Sequence, residues 1–142
     1  SRRQRSRRTG QGRSGKLIAA LQWELEWGAY VGENEHPDIR AAALEYRVLP
    51  DPWNEVPWRA WHELQHDRAW TTDGLGASMG MIRIVSRPGP ISWLSIDRWC
   101  EANGVSDEDR VYVHDLIRAL DAVFLRFRNA AISQDMQTFM RK

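Results

Sequence analysis

The sequence predicts an all-α protein: a small helical domain of about three core helices, preceded by an N-terminal helical extension and a basic disordered tail. Three stretches between residues 58 and 125 carry apolar residues at three- and four-residue spacing, and turn residues bound each of them. The chain has 142 residues, a one-domain length that can bury a core without disulfides or metal. The expected organisation is a tail over 1–15, a helical extension with a proline-rich connector over 16–57, and a helical core domain over 58–142. A long glycine-containing loop at 71–90 interrupts that core domain.

Residues 1–15 hold Arg, Ser, Gly, Gln and Thr and nothing apolar, so they have no surface to bury and are expected to be disordered alone. From Lys16 to about Val31, Leu17, Ile18, Leu21 and Leu25 share a face that Trp23, Trp27 and Tyr30 widen, and Gly32 ends the helix. Pro37 opens a second helix to about Val48, with Ile39, Ala42, Ala43 and Tyr46 inward and Pro50 and Pro52 closing it. Whether this hairpin packs on the core or forms a separate partner-binding arm stays open. Three prolines in Pro50–Pro57 make a connector. A third helix then runs from Glu55 or Trp58 to about Trp70, with Trp58, Trp61, Leu64 or Gln65, and Arg68 on one stripe.

Gly74, Gly76, Gly80 and Gly89 mark the stretch after it as a loop, within which Met81–Val85 alternates weakly and can form a short strand or hairpin. Ser92 caps the fourth helix, which carries Trp93, Ile96, Trp99 and Cys100 on one face and stops at Asn103-Gly104. Ser106, followed by Asp107, Glu108 and Asp109, opens the fifth helix with a cap and three acids at the positive end of its dipole. Its core stripe runs from Val113 through Leu116, Ile117 and Leu120 to Phe127, and Ile132, Met136, Phe139 and Met140 extend it or fray.

The net charge of +1 conceals an asymmetry. Residues 1–16 hold seven basic groups and no acid, which leaves the rest of the chain with 13 basic against 19 acidic groups. A basic arm of this kind can bind phosphates through Arg2, Arg3, Arg5, Arg7 and Arg8, and it can equally fold back on the acidic body. No apolar run approaches the roughly 18 residues that span a bilayer, so a soluble, cytoplasmic protein with no membrane partner is expected. Cys100 has no partner for an internal disulfide and reads as a buried structural thiol.

His62-Glu63-Leu64-Gln65-His66 matches the zinc-protease pattern H-E-x-x-H on an expected helix, where His62 and His66 can face one ion. A third ligand is missing from the sequence around it, with only Asp97, Glu101 and His114 as generic candidates, and the other reading is two half-exposed histidines. His36 and His114 read as surface or boundary residues. No P-loop, GxGxxG, paired CxxC or Gly-x-Ser-x-Gly occurs, and no enzyme, cofactor or metal is expected. Of the eight tryptophans, Trp58, Trp61, Trp70, Trp93 and Trp99 crowd the central unit and are expected mostly in the core. Trp23, Trp27 and Trp53, with Tyr30, are the candidates for a partner surface. Arg68 and Asp121 are placed to form a buried pair between the third and fifth helices.

W-x-x-L-x-x-D-R at Trp61–Arg68, the glycine-bearing loop, P-I-x-x-x-x-I-D at Pro90–Asp97, the Asn103-Gly104 helix end and Ile117-Arg-Ala-Leu-Asp121-x-x-Phe-Leu125 together resemble the small phage tail assembly chaperones of tailed phages and prophages. The resemblance covers roughly half of the chain and leaves residues 1–57 without a counterpart. It implies a helical protein of the bacterial host cytoplasm that holds the apolar helices of the tape measure protein in solution and helps tail tube subunits gather, with self-association possible. The alternatives are another helical interaction module, a nucleic-acid binder using the arginine arm, and the zinc metalloprotease.

Overall fold

The structure, a computed structural model, describes residues 2–76 and 80–141, with side chains from Ser14 onward other than that of Leu75. Its elements are α1 (Arg2–Trp27), α2 (Pro37–Glu45), α3 (Glu55–Glu63), β1 (Trp70–Gly76), β2 (Ile82–Pro88), α4 (Trp93–Ala102) and α5 (Asp107–Arg141). Short 3-10 turns follow α1 at Gly28–Val31, precede α3 at Pro52–Asn54 and extend it at Leu64–Asp67. The protein is thus mostly helical, with one small two-stranded sheet, and is not strictly all-α.

One core joins four helices. Leu17 and Leu21 of α1, Ala60 and Trp61 of α3, Ile96 and Cys100 of α4, and Val113, Leu116, Ile117 and Leu120 of α5 are buried in a single cluster. The N-terminal extension therefore packs on the central unit, since Leu17 and Leu21 lie among its most deeply buried residues. α1 starts at Arg2 instead of near Lys16, running through the stretch expected to be disordered. Arg and Gln are good helix formers, so a helix nucleated by the buried turns at Leu17 and Leu21 can propagate back through them.

The caps are those the sequence announces. Ser92 Oγ accepts the Ser95 N–H at 3.1 Å and Ser106 Oγ accepts the Asp109 N–H at 3.2 Å, each closing the first turn of its helix. α4 ends in a Schellman motif: the Val105 N–H donates to Cys100 O at 2.9 Å and the Gly104 N–H to Glu101 O at 3.3 Å. Gly104 takes the left-handed φ of 68° that this motif requires.

The expected loop at 71–90 is replaced in large part by an antiparallel hairpin, with Trp70 opposite Pro88 and Gly76 opposite Ile82. Thr71 and Thr72 on one strand and Ile82, Ile84 and Val85 on the other supply the β-branched residues that favour it. A two-stranded sheet is marginal alone. This one is seated on the second half of α5: Val85 is buried, Arg83 lies over the Phe139 ring at 5.6 Å, and the Arg87 guanidinium contacts Met136 Sδ at 3.2 Å. The same contacts explain why α5 runs on past Phe127 to Arg141 as a single helix of 35 residues.

The third helix is shorter than expected, because the chain tightens into a 3-10 turn at Leu64 and Trp70 enters β1. The tryptophans divide accordingly. Trp61 is buried, and Trp58 and Trp99 pack partly against the core, whereas Trp70 and Trp93 are exposed. Among the described residues, no helix is long and apolar enough to cross a membrane.

Candidate interaction surface

Ile39 and Ala43 of α2 and Tyr46 at its C-cap fall at i, i+4 and i+7, the spacing that lines one face of a helix. Only Ala43 is fully covered, at 0% exposure, while Ile39 is 43% and Tyr46 61% exposed. The cover comes from the end of α1 and the 3-10 turn that follows it. The Trp23 indole N–H donates to Ala43 O at 2.8 Å, and the Arg47 guanidinium lies over the Trp23 ring, 5.3 Å from its centre. Trp27 packs against Tyr46 at 5.6 Å between ring centres and meets Tyr30 edge-on at 6.2 Å. Trp23 and Trp27 are thus half-buried and tie α2 to the molecule, and Tyr30 and Tyr46, which share Trp27 as a neighbour, stay exposed.

Trp53 belongs to a different place. It is 64% exposed and walls a groove of about 400 Å³ between the connector and the α4–α5 turn, together with Arg59, Val105, Asp109 and Tyr112. The groove is braced by the Tyr112 hydroxyl, which donates to the buried Asn54 Oδ1 at 2.7 Å. The four aromatic candidates therefore form two sites: Trp27 and Tyr30, with Trp23 behind them, on the α2 face, and Trp53 in the groove. Tyr46 and Ile39, which the sequence marks as inward residues of α2, are half-open members of the first.

The side chains of Arg2, Arg3, Arg5, Arg7 and Arg8 lie outside the described residues. At the boundary, Lys16 Nζ donates to Asp51 Oδ1 at 2.8 Å and fastens α1 to the connector.

His62 and His66 are not brought together on one α-helical face. His66 follows the end of α3 on the 3-10 turn and is exposed. His62 Nδ1 meets Trp58 O at 2.8 Å and its Nε2 meets both Glu24 oxygens, at 2.8 and 3.0 Å. Both partners are acceptors, an arrangement that favours the protonated ring, in which both nitrogens donate. Burial acts to lower its pKa, but the Glu24 hydrogen bond, the Trp58 carbonyl and the Glu24 charge outweigh that and hold it above 6.5. Among the described residues, no three His, Cys, Asp or Glu side chains are grouped to hold a metal ion.

His114 is a correction to the sequence reading: it is buried, at 7% exposure, on the α5 stripe between Val113 and Leu116. Trp93 of α4 stacks on its ring at 5.2 Å, and Asp97 Oδ1 lies 3.3 Å from its Nε2 and 3.5 Å from Arg110 Nη1. A wide apolar stripe admits a histidine where a neighbouring helix supplies a carboxylate and an aromatic lid, and neither is visible from the local sequence. Cys100 is fully buried; burial pushes its thiol pKa up, Arg110 opposes and Asp97 adds to the rise, so the reactive thiolate is disfavoured.

Comparison with protein-family models, with curated proteins and with solved structures finds no match to this chain.

Proposed function

We propose that this protein is a holding chaperone of the phage tail assembly type, which binds the tape measure protein, tail tube subunits or both while a tail is built. The observation that carries this reading is the group of exposed apolar side chains at α2, where Tyr30 and Tyr46 both pack on Trp27, Ile39 is exposed two turns before Tyr46, and Trp23 ties α2 to α1. A surface of this sort suits the helix-in-groove mode of recognition, in which an incoming helix lays its apolar stripe against exposed aromatics. Holding needs no bond-making residues, only reversible burial of a client's apolar surface. The sequence motifs that resemble the family lie in α3 and the turn after it, in the segment that opens α4, and in α5, which share the core with α1.

The test is co-expression with a tape measure protein and a tail tube protein of a tailed phage. The reading predicts that the tape measure protein is recovered in the soluble fraction with this chain, and that Tyr46→Glu releases it. A tape measure protein equally soluble with and without this chain contradicts the reading.

A second reading rests on the arm. Residues 2–16 carry seven basic groups and no acid on one helix with the core-packed part of α1, which suits a phosphate backbone. It predicts RNA or DNA binding that weakens steeply with salt and disappears when residues 1–15 are deleted.

A further inference from the structure

We propose that the outer face of the β1–β2 hairpin packs against the same face of a second copy of this chain, with Ile82 and Ile84 of each copy seated over Gly76 and Gly74 of the other. This contact is independent of the holding reading and lies in a different part of the molecule. The register fixes which side chains share the face, since residues directly opposite in an antiparallel pair point to the same side. Gly76 stands opposite Ile82 and Gly74 opposite Ile84, with Thr72 and Ser86 next along the ladder. The alternate set, with Asp73, Arg83, Val85 and Arg87, faces α5, where Arg83 lies over Phe139 and Arg87 contacts Met136. All three charged residues of the two strands are therefore on the inner side, and Arg87 and Asp73 meet there at 4.0 Å.

The outer side is neutral and uncovered. Ile82 is 75% and Ile84 70% exposed, the two highest values among the large apolar side chains of the described residues. Gly74 and Gly76 are their complement. Glycine inside a strand weakens it, and it marks a place where another backbone approaches closely. Neither of these two has a positive φ, so no turn geometry requires glycine there. A Cβ at Gly76 would meet nothing within 4 Å, and one at Gly74 only the Ile82 side chain at 3.9 Å, so no neighbour within the chain requires it either. The face thus carries two protruding side chains beside two flat positions, paired at the same levels of the ladder.

A twofold axis running along the strands, between two such faces, lays β2 of each copy over β1 of the other. Each isoleucine then stands over the glycine at its own level, with no shift of register. A contact of this kind is isologous and closes at two copies, and a face without charge brings no like charge to it. Pairing through an open strand edge would leave both isoleucines as exposed as before, which is why the face is assigned and not the edge.

A face of two isoleucines per copy is small against the roughly 1,000 Å² of a stable interface, so a reversible dimer with a Kd on the order of 10 μM is expected. Sedimentation equilibrium of the full chain on both sides of that concentration measures it, beside two double variants, Gly74→Val with Gly76→Val and Ile82→Thr with Ile84→Thr. Each is expected to weaken the dimer at least about tenfold. The valine variant discriminates most sharply. Valine fills the flat positions, favours a strand and has room within one copy, so its thermal midpoint holds or rises while the dimer is lost.

A native chain that stays monomeric throughout overturns the proposal, and a face taken by a client instead gives that result. A dimer that survives the valine variant overturns it too, as does a mass that climbs past two copies with concentration, the mark of an open assembly. If the valine variant fails to fold by circular dichroism, the threonine variant decides: folded with the dimer lost upholds the proposal, and folded with the dimer unchanged overturns it.

Discussion

Arg68 and Asp121 form a buried ion pair that joins three parts of the chain. The Arg68 Nη2 donates to Asp121 Oδ1 and to Gln65 Oε1 at 2.9 Å, while its Nη1 donates to Gly89 O at 2.7 Å. The other Asp121 oxygen accepts the Ile91 N–H at 3.0 Å, and the guanidinium lies 4.3 Å from the centre of the Phe124 ring. The end of the α3 turn, the base of the hairpin and the middle of α5 are thereby held in one register.

Removing one member of such a pair strands a charge in the interior. Arg68→Met or Asp121→Leu alone is expected to cost about 3–5 kcal/mol in chemical denaturation. The double variant Arg68→Met with Asp121→Leu is expected to recover much of that loss, because it removes both desolvation costs together. Equal losses in the single and double variants mean that the bonds to Gly89 and Ile91, not the stranded charge, set the cost.

His62 links α3 to α1 through Glu24 and gives stability a pH dependence of known sign. Its folded pKa is raised above 6.5, so its contribution is fully present below 6.5 and is lost as pH rises through the folded value. Both side chains are partly exposed, which keeps the effect modest. Thermal midpoints measured between about pH 5.5 and pH 8 should fall more for the native chain than for His62→Gln. Parallel curves for the two remove Glu24 and His62 from the pH response.

Gly104 has open space where a Cβ would stand, so its replacement costs only backbone conformation. Gly104→Ala is expected to lose about 1 kcal/mol, and Gly104→Asn less, because Asn tolerates the left-handed region. Denaturant midpoints of the two variants settle the order.

These positions also show where the sequence speaks and where it does not. Ser92, Ser106 and Asn103-Gly104 act within one turn of themselves, so the ends of α4 and the start of α5 are legible residue by residue. The Arg68–Asp121 pair is legible too, since two charges set among apolar residues must find each other once buried. The hairpin is only half legible: Met81–Val85 alternates, but β1 begins at Trp70 inside what reads as a helical stripe, and its support comes from Met136 and Phe139 far along the chain. Trp93 and His114 exchange their expected places, the tryptophan outside and the histidine inside, because one stacks on the other across two helices. In the candidate surface, Trp27 and Tyr30 were identifiable from composition and spacing. The openness of Tyr46 was not, since its spacing from Ile39 and Ala43 reads as inward and its place at the C-cap of α2 is set by the fold.

Trp23 is the hinge of that surface. Trp23→Leu removes the bond to Ala43 O and the platform under Arg47, and amide exchange over residues 39–45 is expected to quicken while exchange in α5 stays unchanged. Uniform acceleration across the chain makes Trp23 an ordinary core residue.

The most direct test of the holding account is hydrogen exchange of the full chain, alone and in complex with the tape measure protein. Protection gained over residues 27–46, with α4 and the first half of α5 unchanged, is the predicted result. Protection confined to the hairpin or to the Trp53 groove, or absent throughout, contradicts it.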